Sequence, residues 1–105
     1  MAKVALAIPD LLFGSKVRGL VTAAGHEVIG DAIDADVVVV DLVTDPRRGV
    51  EVVERLPDGV RSLGFYAHVQ PDVRDRALAA GCDQVVPRSR LNREGGALVT
   101  RLAAG

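Results

Sequence analysis

The chain has 105 residues, of which 49% are hydrophobic and 26% are charged, the composition of a single globular domain. Its net charge of −1 and its 3% of aromatic residues argue against a nucleic-acid-binding surface, and its single cysteine, Cys82, excludes an internal disulfide and a cysteine zinc site. No apolar run approaches the ~18 residues of a membrane span, and Pro9 and Asp10 interrupt the first run, so we expect a cytoplasmic protein with no membrane or nucleic-acid partner.

The first predicted elements are a strand and a helix. Residues 4–8 form a continuous apolar run that is typical of a strand buried on both faces, and Pro9 ends it. Asp10 or Ser15 can cap the following helix, because each side chain offers an oxygen to unpaired backbone N–H groups. Gly25 ends this helix. Apolar residues recur along it at helical spacing, and we expect them to pack in the core rather than to form a docking patch: Leu11, Leu12, Val17, Leu20, Val21 and Ala24.

Two more strands follow in the first half of the chain. Residues 26–29 predict a weak strand with His26 on the surface, and the four valines at 37–40 predict a strong strand that Asp41 closes. Residues 30–35 between them are too few for a helical crossover, which needs about 10–12 residues. We therefore expect the second helix of a regular alternation to be shortened or missing. Self-association or a protein partner would cover the sheet face that this leaves open.

The second half alternates between helices and strands. Residues 44–49 have the composition of a loop. In chain order we then predict a short helix with an apolar stripe at Val50, Val53 and Leu56, a strand at 61–66, a helix at 71–80 with Val73, Ala77, Leu78 and Ala80 facing inward, a strand at 84–86 and a final helix at 92–102. Alternation of this kind predicts an α/β fold with a parallel five-stranded sheet in one domain, residues 1–105.

Five segments, in their order and spacing, carry a resemblance to a known family: residues 3–28, 36–42, 49–53, 66–68 and 76–83. Together they resemble a response-regulator receiver domain, the phosphorylated module of two-component signalling. The resemblance covers nearly the whole chain. It implies a flavodoxin-like parallel sheet of order 2-1-3-4-5, and it places the phospho-acceptor of the family at Asp41.

The rest of the receiver chemistry is missing from the matching positions. The acidic pair that holds Mg²⁺ in the family corresponds to Ile8 and Pro9, which cannot ligate a metal. The hydroxyl position corresponds to Tyr66 and the lysine position to Arg88. We therefore predict no metal, no cofactor and no catalysis, and we expect Asp41 to cap a loop or to pair with Arg88.

The leading hypothesis is a non-catalytic, pseudo-receiver-like interaction module that works without phosphorylation. The resemblance implies that a protein partner or a second copy would contact residues 71–80, 84–86 and 92–102. One alternative is a phosphorylatable receiver with Asp41 as acceptor. Another is a protein that binds a small anion or nucleotide in the crevice at the C-terminal edge of the sheet, where six candidates are expected to converge: Asp10, Ser15, Tyr66, His68, Arg88 and Arg90.

Overall fold

The centre of the fold is a strand of branched side chains. In the computed structural model, which describes residues 1–105, β3 (Val37–Asp41) is buried at every position. All neighbouring strands pair in parallel, in the order β2-β1-β3-β4-β5, so the predicted fold class and strand order are confirmed. The other strands are β1 (Lys3–Ala7), β2 (Glu27–Ile29), β4 (Arg61–Tyr66) and β5 (Gln84–Pro87).

Helices cover both faces of this sheet. They are α1 (Leu11–Ala23), α2 (Pro46–Glu54), α3 (Pro71–Ala79) and α4 (Arg88–Ala104). Side chains of α1 and α4 pack with one face, and side chains of α2 and α3 pack with the other. None of the four helices is both long and apolar enough to cross a membrane.

The crossover between β2 and β3 has no α-helix. Only a single 3₁₀ turn, Ala32–Asp34, lies in this segment, so the predicted loss of the second helix is confirmed. The Asp31 carboxylate caps the turn by accepting a hydrogen bond from the Ile33 N–H at 2.9 Å. Ile33 itself is 71% exposed, and Ile29 beside it is only half-buried.

Two predicted helix boundaries were wrong. The final helix begins at Arg88, directly after β5, and not at residue 92. Residues 44–49 are not all loop, because Asp45 caps α2 and Pro46 occupies its first turn. A Cβ at Gly96 would meet the Ala24 Cβ at 2.9 Å, so the absence of a side chain lets α4 lie close against α1.

Four predicted core residues lie on the surface: Leu11, Leu12, Ala24 and Leu78. Leu11 and Leu12 are 86% and 88% exposed, while Phe13, Val17 and Val21 form the buried stripe of α1. The helix begins at Leu11, and the spacing of four residues from Phe13 onwards sets the inward face. Leu78 is 44% exposed for the same reason, since Val73 and Ala77 define the inward face of α3.

His26 is buried, which corrects the prediction of a surface strand residue. Its Nδ1 accepts a hydrogen bond from the Ala2 N–H at 3.0 Å, so the ring proton resides on Nε2 and is donated to Thr100 Oγ1 at 2.8 Å. The Thr100 hydroxyl in turn donates to the Gly96 carbonyl at 2.9 Å. The imidazole therefore connects the start of β1 to the C-terminal half of α4.

Candidate functional site at the C-terminal edge of the sheet

Asp41 is the polar residue at the end of the central strand. It is 4% exposed, and both of its carboxylate oxygens are engaged by the loop that follows. Oδ1 accepts hydrogen bonds from the Val43 N–H at 2.7 Å and the Thr44 N–H at 2.9 Å. Oδ2 accepts from the Thr44 hydroxyl at 2.6 Å. The carboxylate therefore caps the loop between β3 and α2, one of the two roles that we expected for it.

A pocket of about 360 Å³ opens beside Asp41 on the α2 side of the sheet. Asp45 and Arg48 line it, and Ile8 and Pro9 form its apolar wall. Asp45 is committed to the helix, because its Oδ1 accepts a hydrogen bond from the Arg48 N–H at 3.2 Å. The remaining residues that line the pocket are Ala7, Gly49 and Val52.

These residues do not fit a magnesium ion. Mg²⁺ requires near-octahedral oxygen coordination, with protein carboxylates completed by water and substrate phosphate. The two positions that carry the acidic pair in receiver domains are aliphatic here, Ile8 and Pro9. The chain has no group of three or more His, Cys, Asp or Glu side chains placed to share a metal ion. Asp10 does not line this pocket: its Oδ1 accepts a hydrogen bond from the Phe13 N–H at 3.1 Å, and its Oδ2 lies 3.8 Å from Arg88 Nη2.

Gly49 lets α2 approach the end of β3. A Cβ at this position would collide with the Asp41 carbonyl oxygen and would lie 2.7 Å from Leu42 Cδ2. The first turn of α2 is thereby held directly against the backbone of the capped loop. Residue 49 was predicted to lie in a loop, so the sequence offered no signal for this contact; within the observed helix, alanine would be about 1 kcal/mol more favourable than glycine.

Arg88 contacts α1 and not Asp41, so the predicted Asp41–Arg88 pair was wrong. Its Nη2 lies 3.8 Å from Asp10 Oδ2, and its guanidinium lies over the Phe13 ring, 4.3 Å from the centroid. Phe13 in turn packs on Phe65 with ring centroids 5.0 Å apart. The reason is the early start of α4, which places Arg88 in the first turn of the helix beside the first turn of α1.

The other candidate residues do not converge in one crevice. Tyr66 is buried at 8% exposure in the core beneath α2 and α3. His68 is exposed in the loop after β4, and Ser15 is exposed on α1. Arg90 lies on α4, where its Nε is 3.3 Å from Glu94 Oε2. Of the six residues, the structure brings Asp10 and Arg88 into contact.

A second cavity, of about 520 Å³, lies between the first turns of α1 and α4. It contains Asp10 and Arg88 together with three polar residues that the sequence reasoning missed, Lys16, Ser89 and Asn92. No pattern along the chain marks these three, because they meet only when α1 packs against α4. Asn92 Oδ1 is buried and has no hydrogen-bond partner. Leu12 and Phe13 complete the lining.

The fold, unlike the sequence, matches known proteins. No protein-family model and no curated protein sequence matches this chain. A response-regulator receiver protein from Burkholderia phymatum matches with a TM-score of 0.81 at 21% identity, over 99% of this chain and 96% of that chain. A response regulator from Thermotoga maritima matches with a TM-score of 0.79 at 14% identity, over 98% of both chains.

A third match has its active-site cleft occupied. It is the receiver domain of a sensor histidine kinase from Pseudomonas aeruginosa PAO1, with a magnesium ion coordinated in that cleft, and it matches with a TM-score of 0.75 at 14% identity over 99% of this chain and 98% of that chain. The chain therefore has the fold of response-regulator receiver domains, over its whole length. At these identities the match defines the fold.

Proposed function

We propose that this chain is a receiver-like signalling module that binds a protein partner, without catalysis and without phosphorylation of Asp41. One observation carries the proposal: both carboxylate oxygens of Asp41 accept hydrogen bonds from its own loop. A phospho-acceptor needs a carboxylate oxygen free to attack phosphorus and a metal ion to neutralise the phosphoryl charge. Ile8 and Pro9 provide no ligand for that ion.

The loop contacts also suggest how such a module works without a phosphoryl group. Hydrogen bonds to a carboxylate are stronger than neutral ones, and here two backbone donors and one hydroxyl converge on a buried charge. They hold the β3–α2 loop in one conformation. The surface that the domain presents to a partner then has the same conformation whether or not a phosphoryl donor is present.

The contact surface that we propose consists of α3, β5 and α4, the face that the likeness to receiver domains implies. β5 is an edge strand, and its Gln84 and Val85 are only half-buried. Leu78 on the adjacent helix leaves 44% of its surface in water. An exposed apolar residue beside an unpaired strand edge suits docking of a protein.

The test is exposure of the protein to Mg²⁺ with beryllofluoride or acetyl phosphate. We expect no saturable NMR shift at Asp41 or in the following loop, and no phosphorylated species by mass spectrometry. A receiver domain that binds Mg²⁺, treated in parallel, shows that the reagents are active. A saturable, Mg²⁺-dependent change at Asp41 would refute the proposal and support the phosphorylatable alternative.

A double variant sharpens this test. Ile8→Glu with Pro9→Asp restores two carboxylates at the positions that carry them in receiver domains. If the loss of the metal ligands prevents phosphorylation of Asp41, the double variant should show a Mg²⁺-dependent NMR shift at Asp41 that the wild type lacks.

A further inference from the structure

The cavity between the first turns of α1 and α4 has a polar lining, and its α1 side lies outside the proposed contact surface. We propose that it is a binding site for a phosphoryl group, carried by a small phosphate monoester or by free phosphate, held by Lys16, Arg88, Ser89 and Asn92. Its volume of about 520 Å³ admits a phosphorylated metabolite and not only the phosphate ion. This site goes beyond the interaction function, and its failure would leave that function untouched.

Arg88 contributes a positive charge whose position is restrained by neighbouring side chains. Its guanidinium lies over the Phe13 ring, with Cζ 4.3 Å from the ring centroid, a cation–π contact that restrains the group. Asp10 Oδ2 lies 3.8 Å from Nη2, beyond hydrogen-bonding distance, so the N–H donors of the planar group stay available. A guanidinium held in this way presents parallel donors to two oxygens of a phosphoryl group. Lys16 adds a second cation, so the lining carries two positively charged side chains and one negatively charged side chain, that of Asp10.

The side-chain amide of Asn92 is unpaired. Its Oδ1 is buried with no partner, and leaving such a group unsatisfied costs about 1–3 kcal/mol. Asn92 lines the cavity and its side chain makes no hydrogen bond within the fold, so its Nδ2 is free to donate to a phosphoryl oxygen. The Ser89 hydroxyl can donate to the anion from the first turn of the same helix. A phosphoryl group therefore accepts hydrogen bonds from both side chains and is attracted by both cations, whereas water carries no charge for the cations to attract.

The site is distinct from the pocket at Asp41. The two cavities share no lining residue, because one lies between α1 and α4 and the other lies against α2 on the opposite face of the sheet. The lining of the proposed site therefore does not include the phospho-acceptor position. Binding there is a reversible, non-covalent event.

The experiment is an NMR titration of the full chain with inorganic phosphate and, separately, with ribose 5-phosphate, at constant ionic strength and with ribose and chloride as blanks. We expect saturable shifts of the Phe13, Ser89 and Asn92 amides with at least one of the two anions. Stronger binding of ribose 5-phosphate would identify a phosphorylated metabolite as the ligand, and equal binding would identify the phosphoryl group alone.

Matched variants separate a site from general charge attraction. Lys16→Gln and Arg88→Gln should each weaken binding about tenfold, the size of one charge-assisted hydrogen bond. Arg18→Gln and Arg93→Gln remove a positive charge from the same two helices outside the cavity and should leave binding unchanged. Shifts that do not saturate with either anion, or that all four variants reduce alike, would overturn the proposal. Lys16 is solvent-exposed, so its variant keeps the test valid if Arg88→Gln unfolds the domain.

Discussion

Replacing Asp41 measures what its carboxylate does in the folded protein. In Asp41→Ala the Val43 and Thr44 N–H groups lose their acceptor, whereas the hydroxyl of the exposed Thr44 can turn to water. A hydrogen bond to a charged group contributes about 1.5–3 kcal/mol, and neighbouring bonds are not additive, so we expect a loss of about 2–4 kcal/mol in the free energy of unfolding. A loss of this size is a large share of the ~5–15 kcal/mol that stabilises a small domain.

Asp41→Asn is the matched control. Its Oδ1 still accepts from both backbone N–H groups, and its amide nitrogen can donate to Thr44 Oγ1, so we expect a loss of about 1 kcal/mol or less. Urea unfolding monitored by circular dichroism compares the two variants, provided that the free energy of unfolding falls with urea concentration at the same slope in both. Equal stability of the alanine and asparagine variants would show that the carboxylate does not hold the loop, and would remove the main support for a module that works without phosphorylation.

Three other predictions concern packing and burial. Gly49→Ala should lower the free energy of unfolding in urea by about 1–3 kcal/mol, because the new Cβ meets the end of β3. The control Gly19→Ala, which has nothing within 4 Å of its Cβ, should raise it by up to about 1 kcal/mol. Equal effects of the two substitutions would contradict the tight approach of α2. His26→Ala should cost about 2–4 kcal/mol, since it leaves the Ala2 N–H without an acceptor and opens a cavity, and an unchanged melting temperature would refute the bridging role. Burial raises the pKa of the Cys82 thiol, so iodoacetamide should alkylate it far more slowly in the native protein than in urea.

The same shift gives Cys82 an effect on stability with a definite sign. The pKa of the thiol is higher in the folded chain than in the unfolded chain, where the thiolate forms first as the pH rises. The stabilisation that the neutral thiol provides is therefore present below the ordinary pKa of cysteine and is lost as the pH rises through the raised value. Cys82→Ala should flatten this alkaline loss of stability, and the same slope in both proteins would contradict the assignment.

Local patterns determined most of the architecture. The strand at β3 could be predicted because a run of four valines favours a buried strand, and the strand at Arg61–Tyr66 was also predicted with its observed bounds. Asp10 could be predicted as a helix cap, and Gly25 as the residue that ends α1, where the observed φ of +90° is open to glycine. The short link before β3 excluded a crossover helix by its length alone.

The tertiary structure alone decided which side chains meet. His26 and Thr100 are 74 residues apart in the chain, and their hydrogen bond exists only because α4 lies along α1. Arg88 contacts Asp10 and Phe13 instead of Asp41 for the same reason. Periodicity shows which face of a helix is apolar, but the neighbour of each polar side chain depends on how helices pack across the sheet, and no short stretch of sequence encodes that relation.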